Sequence, residues 1–195
     1  MAGMAEPAAD HRQATAQRNV EAILDACETL AARGAALTIA ALAAESGVSR
    51  VTVYAHFDSV ADVLAASSRR AVGRVVGALE AVDLDSGSGL DALGRMVDAA
   101  WRMVGELDGL SRATGALLPP EARRGAHDEV LHIVDGLIER GRTDGSIRAD
   151  VPAAWQASVV YALIHTAVDD VNNGRLAPDA AHAALGVTLR AALSA

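Results

Sequence analysis

The segment Thr38–Phe57 constrains the fold more than any other part of the chain, because it places a tight turn between two short helical patterns. Thr38 can cap a short apolar helix that ends at the tetrapeptide SGVS, positions 46–49. The glycine can take the left-handed conformation that a tight turn needs, and the second serine can cap the next helix. In that helix Val53 and Phe57 are four residues apart and share the inner face.

Four polar side chains, Arg50, Thr52, Tyr54 and His56, cannot share the inner stripe of this second helix, so we expect solvent to reach them. Two short helices around a glycine turn, the second with a polar outer face, are typical of a helix-turn-helix. Arginine can fork to guanine, threonine offers a methyl and a hydroxyl group, and tyrosine and histidine can reach phosphates. The pattern indicates DNA binding, and a solvated helix of an ordinary bundle is the alternative.

A longer stretch, from Val20 to Leu64 and centred on LTIAALAAESGVSRVTVYAHFDSVADVL, resembles the N-terminal DNA-binding domain of the tetracycline repressor (TetR) family. The ordered features that carry the resemblance are Thr38, the pair Leu42-Ala43, the turn Gly47-Val48-Ser49, Tyr54, Phe57 and a helix that restarts at Ser59. The other two thirds of the chain resembles the family only in plan.

The resemblance implies an all-α protein with an N-terminal three-helix DNA-binding domain and a larger helical ligand-binding and dimerisation domain. It places Thr38 and Tyr54 at phosphates, and the face from Arg50 to His56 in the major groove. The DNA-binding residues expected on this basis are Thr38, Ser49, Arg50, Val51, Thr52, Tyr54 and His56. The chain departs from many members at Val60, where they carry a phosphate-holding lysine, so Arg12, Arg18 or Arg50 has to compensate.

We expect three regions: a flexible arm over residues 1–17, the DNA-binding domain over 18–64, and the effector-binding and dimerisation domain over 65–195. The net charge of -8 is unevenly spread along the sequence. Residues through Val75 include seven arginines and eight acidic residues, whereas the residues after it include ten arginines and seventeen acidic residues. Most of the negative charge therefore lies outside the proposed DNA-binding domain, which we call the reading head. A small basic patch on the reading head is enough to steer it to DNA. The affinity of one head should be modest, which predicts two heads in a homodimer.

A helix expected over Leu90–Leu107 has an apolar face wider than a surface helix needs. It is either a central core helix or one wall of a cavity for a small apolar or amphipathic effector. The candidate ligand-binding residues are Met96, Trp101 and Met103, with His132 and Tyr161 as hydrogen-bonding groups from neighbouring helices. For each of them a plain core role is the alternative.

The chain ends in two apolar helices. The first, around Val151–Val168, is uncharged and nearly long enough to span a bilayer, but Pro152, Gln156 and His165 favour a buried or interface helix over a membrane span. In the TetR family the equivalent pair forms a four-helix bundle with its copy. The expected dimer interface comprises Val159, Leu163, Ala181, Leu185, Thr188, Leu189 and Ala192.

Other classes of site find little support. His127 and His132 are five residues apart, out of line for one metal, so we expect no metal and no cofactor. No GxSxG, P-loop or dinucleotide motif is present, which argues against an enzyme. Cys27 is the single cysteine, so no disulfide can form within the chain, and no stretch has the pattern of a signal peptide. The cytoplasm is therefore the expected location.

The sequence thus predicts a transcriptional regulator that acts as a repressor. It would bind a palindromic double-stranded DNA operator as a homodimer and be released by a small-molecule effector. Effector binding would shift the population toward a conformation in which the distance between the two DNA-binding heads no longer fits the operator. Two alternatives stay open: a helical ligand carrier or enzyme that retains the scaffold without specific DNA binding, and a protein-interaction module that uses the helix-turn-helix surface.

Overall fold

The computed structural model describes residues 6–125 and 127–195, and the side chains of residues 11–103, 109–125 and 127–195. Within these residues every extended regular element is a helix, which confirms the expected all-α fold, and a lone antiparallel bridge joins Ile147 to Ser194. The helices are α1 Glu6–Ala32, α2 Ile39–Ser46, α3 Arg50–His56, α4 Val60–Leu79, α5 Gly89–Trp101, α6 Val104–Leu117, α7 Pro120–Gly125, α8 Asp128–Asp144, α9 Ala153–Asn172 and α10 Pro178–Leu193.

The chain divides into two compact units. The first extends through Ser68 and also takes in Gly109–Arg123, and the second comprises Arg69–Asp108 and Arg124–Ala195. The first unit therefore contains α1, α2 and α3 together with a later segment, from α6 and α7, that our expected 18–64 domain did not include.

The core of the first unit forms where α1 packs against α2 and α3. Ile23, Leu24 and Cys27 on α1 are buried, as are Leu42 on α2 and Val53 on α3. Each fully buried aliphatic side chain contributes about 1.5–3 kcal/mol relative to exposure. The buried face of α1 is thus the face that packs against the next two helices.

The first helix begins at Glu6, so residues 6–17 of the arm that we expected are helical. The reason is local: Pro7 stands in the first turn, where proline is tolerated, and no helix breaker follows it. Side chains along this stretch also bond within the helix, as where Arg18 donates to Thr15 at 2.9 Å. Residues 1–5 of the expected arm lie outside the described residues.

The second unit is built around a core that α5, α8, α9 and α10 share. Its most deeply buried side chains include Met96, Ile138, Val160 and Leu193. The single helix expected over Leu90–Leu107 is wrong, because α5 ends at Trp101 and α6 begins at Val104. The intervening turn is closed by the amide of Met103, which donates to the carbonyl of Ala100 at 3.0 Å.

The uncharged segment Val151–Val168 forms most of α9, which packs in this helical core. Across residues 6–125 and 127–195, no helix combines the length and the apolar character that crossing a membrane requires.

In the first unit α6 touches α1 through a glycine. A Cβ atom added at Gly109 would lie 2.5 Å from the carbonyl oxygen of Ala31 and 2.6 Å from the Cα of Ala32. Only a residue without a side chain lets the two backbones approach this closely. Gly115, on the same helix, has nothing within 4 Å of such an atom.

We predict that Gly109→Ala lowers the free energy of unfolding by about 1–3 kcal/mol, because the new methyl group must force α6 away from α1. Gly115→Ala is the matched control and should raise that free energy by about 0.5–1 kcal/mol, because alanine favours an exposed helix position. Denaturant unfolding of both variants measures the difference. Equal midpoints would show that the close approach at Gly109 is unimportant.

Candidate nucleic-acid interface

The α2–turn–α3 segment is fixed at its three critical points by local chemistry. Thr38 has extended backbone angles, and its hydroxyl oxygen accepts a hydrogen bond from the amide of Ala41 at 3.1 Å. Gly47 ends α2 in the left-handed conformation, with φ of 73°. The hydroxyl oxygen of Ser49 accepts from the amide of Thr52 at 3.0 Å and so caps α3. The caps and the turn that the sequence predicted are therefore confirmed.

The inner side of this segment is apolar and holds α3 in place. Leu42, Ala43 and Val53 are buried, while Val48 and Phe57 are half-buried beside them. Because these side chains occupy one side of each short helix, the opposite side of α3 must face outward.

The outward side of α3 consists of Arg50, Val51, Tyr54 and Ala55, all exposed. Val51 keeps 79% of its surface and Tyr54 keeps 58%, which is unusual for large apolar and aromatic residues that lack a partner. The face offers a guanidinium group, a phenol and two small apolar groups. These are the groups that bond guanine and phosphate and that contact thymine methyl groups.

Thr52 and His56 lie elsewhere on α3 than the sequence suggested. Both are half-buried, and they flank the buried Val53 instead of sharing the outer face with Arg50 and Tyr54. The hydroxyl of Thr52 is also 2.8 Å from that of Ser49, so it belongs to the cap. Ala55 was missed, although its spacing of four residues from Val51 is the signal that would have placed it on the exposed face.

The start of α4 carries an acidic variant of the capping box, formed by Ser59 and Asp62. The hydroxyl of Ser59 donates to the carboxylate of Asp62 at 2.7 Å and accepts from its amide at 3.2 Å. Asp62 follows shortly after Val60 in the sequence, the position where a lysine would hold a phosphate. Arg12, Arg18 and Arg50, which we expect to compensate, are exposed.

The candidate ligand-binding residues of the second unit occupy separate settings. Met96 is fully buried in the core, and Met103 is half-buried in the turn after α5. Trp101 stacks on His182 with ring centroids 5.5 Å apart. Tyr161 stacks on His165 at 4.0 Å. His132 is exposed on α8 and does not line an interior cavity.

Sequence reasoning missed His127 and His165 as neighbours of Tyr161. The imidazole of His127 meets that of His165 edge to face, with centroids 4.8 Å apart, although the two are far apart in sequence. Over the part of the chain that the structure describes, no three or more histidine, cysteine, aspartate or glutamate side chains are grouped as a metal site.

Three residues of the expected dimer interface face inward instead. Ala181, Leu185 and Leu189 are buried in the core of their own chain, with at most 5% of their surface exposed. Val159, Leu163 and Ala192 are half-buried, and Thr188 is exposed. The large apolar side chains that solvent does reach on this helix pair are Trp155 on α9, 62% exposed, and Val187 on α10, 71% exposed.

Comparison with known proteins connects this geometry to a family. Residues 23–66 match the model for bacterial regulatory proteins of the tetR family. No curated protein matches the chain by sequence. The match covers the α2–turn–α3 segment together with parts of α1 and α4.

Solved structures share the fold of nearly the whole chain. The chain is similar to the fatty acid degradation regulator FadR from Bacillus halodurans, with a TM-score of 0.71 and 16% identity over 88% of this chain and 94% of that one. It is similar to FadR from Bacillus subtilis in complex with stearoyl-CoA, with a TM-score of 0.71 and 17% identity over 88% and 98%. It is also similar to the TetR-like regulator LfrR from Mycobacterium smegmatis in complex with proflavine, with a TM-score of 0.62 and 23% identity over 92% and 98%.

At these identities the structural likeness establishes a common fold, and the family model identifies the DNA-binding segment within it. The capped helices, the left-handed glycine between them and the exposed face of α3 are the parts that such a segment requires. The family resemblance of this segment is thereby confirmed: residues 23–66 match the helix-turn-helix segment of the tetR family, in a chain that has the fold of these regulators.

Proposed function

We propose that the chain is a transcriptional repressor, and not an enzyme, that binds a palindromic operator as a homodimer and leaves it when a small molecule binds. The observation that carries the DNA-binding part is the outer face of α3, where Arg50 and Tyr54 stand exposed beside Val51 while Val53 anchors the helix from behind. Residues 18–64 would serve as the reading head and 65–195 as the effector-binding and dimerisation part.

Within the reading head, the exposed residues divide by the chemistry they offer. Arg50 and Val51 are suited to base edges, because a guanidinium group forks to guanine and a branched alkyl group contacts the thymine methyl. Tyr54 and Thr38 are suited to phosphates, since each carries a single hydroxyl group. Ser49, Thr52 and His56 remain in the proposed set, with the first two acting mainly through the cap of α3.

Release by an effector has support from proteins of similar fold. One such regulator was solved in complex with stearoyl-CoA and another in complex with proflavine. Both ligands combine an apolar body with charged groups. We propose a small amphipathic effector for this chain by analogy with them.

Two observations support a homodimer: the exposed apolar side chains of the last two helices, and the small number of phosphate contacts that one reading helix can make. Trp155 and Val187 are exposed on α9 and α10, where a monomer would gain nothing from showing large apolar groups to water. One short reading helix makes few phosphate contacts, so two linked heads are needed for a useful affinity at physiological salt.

The direct test is to select bound fragments from random-sequence DNA with the purified chain. The affinity for the most enriched sequence is then measured across a range of salt concentrations. The proposal expects a sequence with two-fold symmetry and an affinity that falls steeply as salt rises. Recovery of no enriched sequence would contradict it.

The first prediction of this proposal concerns base reading by α3. Replacing Arg50 with alanine should relax the preference at one operator position by about 1–3 kcal/mol, the worth of a good bidentate contact. Tyr54→Phe should instead weaken all sequences alike, because it removes a phosphate contact. Fluorescence anisotropy against operators with single substitutions separates the two patterns. An unchanged preference in the Arg50 variant would mean that this side chain does not read bases.

The second prediction separates the cap at Ser49 from its place at the DNA. Ser49→Ala should cost about 1 kcal/mol of folding stability because α3 loses its cap, whereas Ser49→Asp should keep that stability, since aspartate caps equally well. The aspartate variant should nevertheless bind the selected DNA more weakly than the alanine variant, because it sets a negative charge against phosphate. Thermal unfolding and DNA titration give the two readouts. Equal DNA binding by the two variants would place Ser49 away from the backbone.

The third prediction concerns assembly. Val187→Arg should yield a folded monomer, because the side chain is exposed in one chain and would meet a partner only in a dimer. Leu117→Arg, at an exposed apolar residue of α6 in the other unit, is the matched control and should leave the oligomeric state unchanged. Light scattering measures the mass. A dimer that survives Val187→Arg would move the interface elsewhere.

A further inference from the structure

A groove of about 320 Å³ runs between α5 and α10 in the second unit. Gly94 on α5 and Gly186 on α10 line it, and its apolar lining includes Leu90 and Leu189. Charged side chains at its rim are Asp91, Arg95, Asp98 and Arg190. None of the ligand-binding residues expected from the sequence is among those that line it.

The two glycines have no structural reason to lack a side chain. Neither has a positive φ angle. A Cβ atom at Gly186 would have nothing within 4 Å, and one at Gly94 would come no closer than 3.6 Å, to a guanidinium nitrogen of Arg190. Glycine destabilises a helix interior relative to alanine. What the two residues preserve is the open space of the groove.

The guanidinium group of Arg190 lies close to Gly94 and is only loosely held. Both of its terminal nitrogens donate to one oxygen of Asp91, each at 3.3 Å, and the two side chains are 57% and 50% exposed. This is a long contact to a single oxygen, whereas a strong arginine–carboxylate pair uses two oxygens at shorter distances. A carboxylate that enters the groove can therefore offer Arg190 a better partner than it has.

Asp91 would not be left without support if Arg190 turned to a ligand. The hydroxyl of Ser88 donates to its carboxylate at 2.7 Å. This bond is the foremost cause that lowers the pKa of Asp91, ahead of Arg190, and the charge of Arg95 lowers it further. Arg95 itself is held at the rim, where it donates to the carbonyl of Asp83 at 2.7 Å.

At one end of the groove, around Asp98, a second contact joins the same two helices. Asp98 on α5 is 2.8 Å from the imidazole Nε2 of His182 on α10, and His182 stacks on Trp101. The carboxylate at this end is therefore occupied, and Arg190 is the group at the rim best placed to take a new partner.

We propose that this groove binds a small amphipathic monocarboxylate, with its carboxylate on Arg190 and its apolar body along the gap between Gly94 and Gly186. As the effector site of the regulator, it rests on the proposed function. As a binding site, it stands on its own geometry.

The test uses the full chain without DNA and three probes of equal chain length: octanoate, octylamine and octanol. Calorimetry should show octanoate binding the parent chain, with the amine and the alcohol roughly tenfold weaker or worse, because only the carboxylate gains charge-assisted bonds to Arg190. In a two-dimensional NMR spectrum of the parent chain, octanoate should shift the backbone amides of Gly94 and Gly186. Absence of octanoate binding, or equal binding of all three probes, would overturn the proposal.

Two variants locate the site, each with a matched control. Arg190→Gln should weaken octanoate roughly tenfold or more, whereas Arg175→Gln, at an exposed arginine paired with Asp170, should change nothing. Gly186→Leu fills the groove and should abolish binding. Gly136→Leu, at a helical glycine of α8 with nothing within 4 Å, should leave it intact. Binding that survives both Arg190→Gln and Gly186→Leu would place the ligand elsewhere and overturn the proposal.

DNA binding is measured separately on the selected sequence, so the two proposals fail independently. A chain that binds this DNA but not octanoate removes the groove alone. A chain that binds octanoate in the groove but selects no DNA removes the proposed function alone. Octanoate that occupies the groove and leaves DNA affinity unchanged removes the effector role of the site.

Discussion

Burial of Val53 and Leu42 against α1 determines what the outer face of α3 can present. Both side chains are fully shielded from solvent, and they lie on the two short helices that a single turn connects. An isolated helix of only seven residues is not stable in water. It persists because its inner side is packed, and that packing leaves Arg50 and Tyr54 on the outside.

The hydroxyl groups of this segment combine structural and proposed functional roles. Thr38 and Ser49 each accept a hydrogen bond from a backbone amide at the start of a helix. Both residues remain exposed, so their hydroxyl hydrogens can also face a phosphate. A residue that stabilises the reading helix is thereby placed where the proposed DNA backbone would run, which ties the folding of the turn to binding.

In the second unit α10 uses its sides for different purposes. Leu185 and Leu189 face the core, Val187 faces solvent, and Gly186 and Arg190 face the groove beside α5. The helical repeat makes this division possible, since neighbouring residues point about 100° apart. Our proposals for a dimer contact and for a ligand site therefore draw on different residues of one helix, and each can be altered without the other.

The sequence by itself was sufficient for several features that depend on contacts within a few residues: the caps at Thr38 and Ser49 and the left-handed turn at Gly47. These follow from the hydrogen-bonding capacity and conformational freedom of individual residues. The family resemblance rested on the same local pattern.

Only the tertiary structure decided which side of each helix would be covered. A stripe such as Ala181, Leu185 and Leu189 suits a core and an interface equally well, and here the core of its own chain takes it. The sequence likewise could not place His127 beside His165, or Arg190 across Gly94, because each pair meets through helices distant along the chain. Periodicity states that a face is apolar, but the neighbour that covers that face is set by the packing of the whole unit.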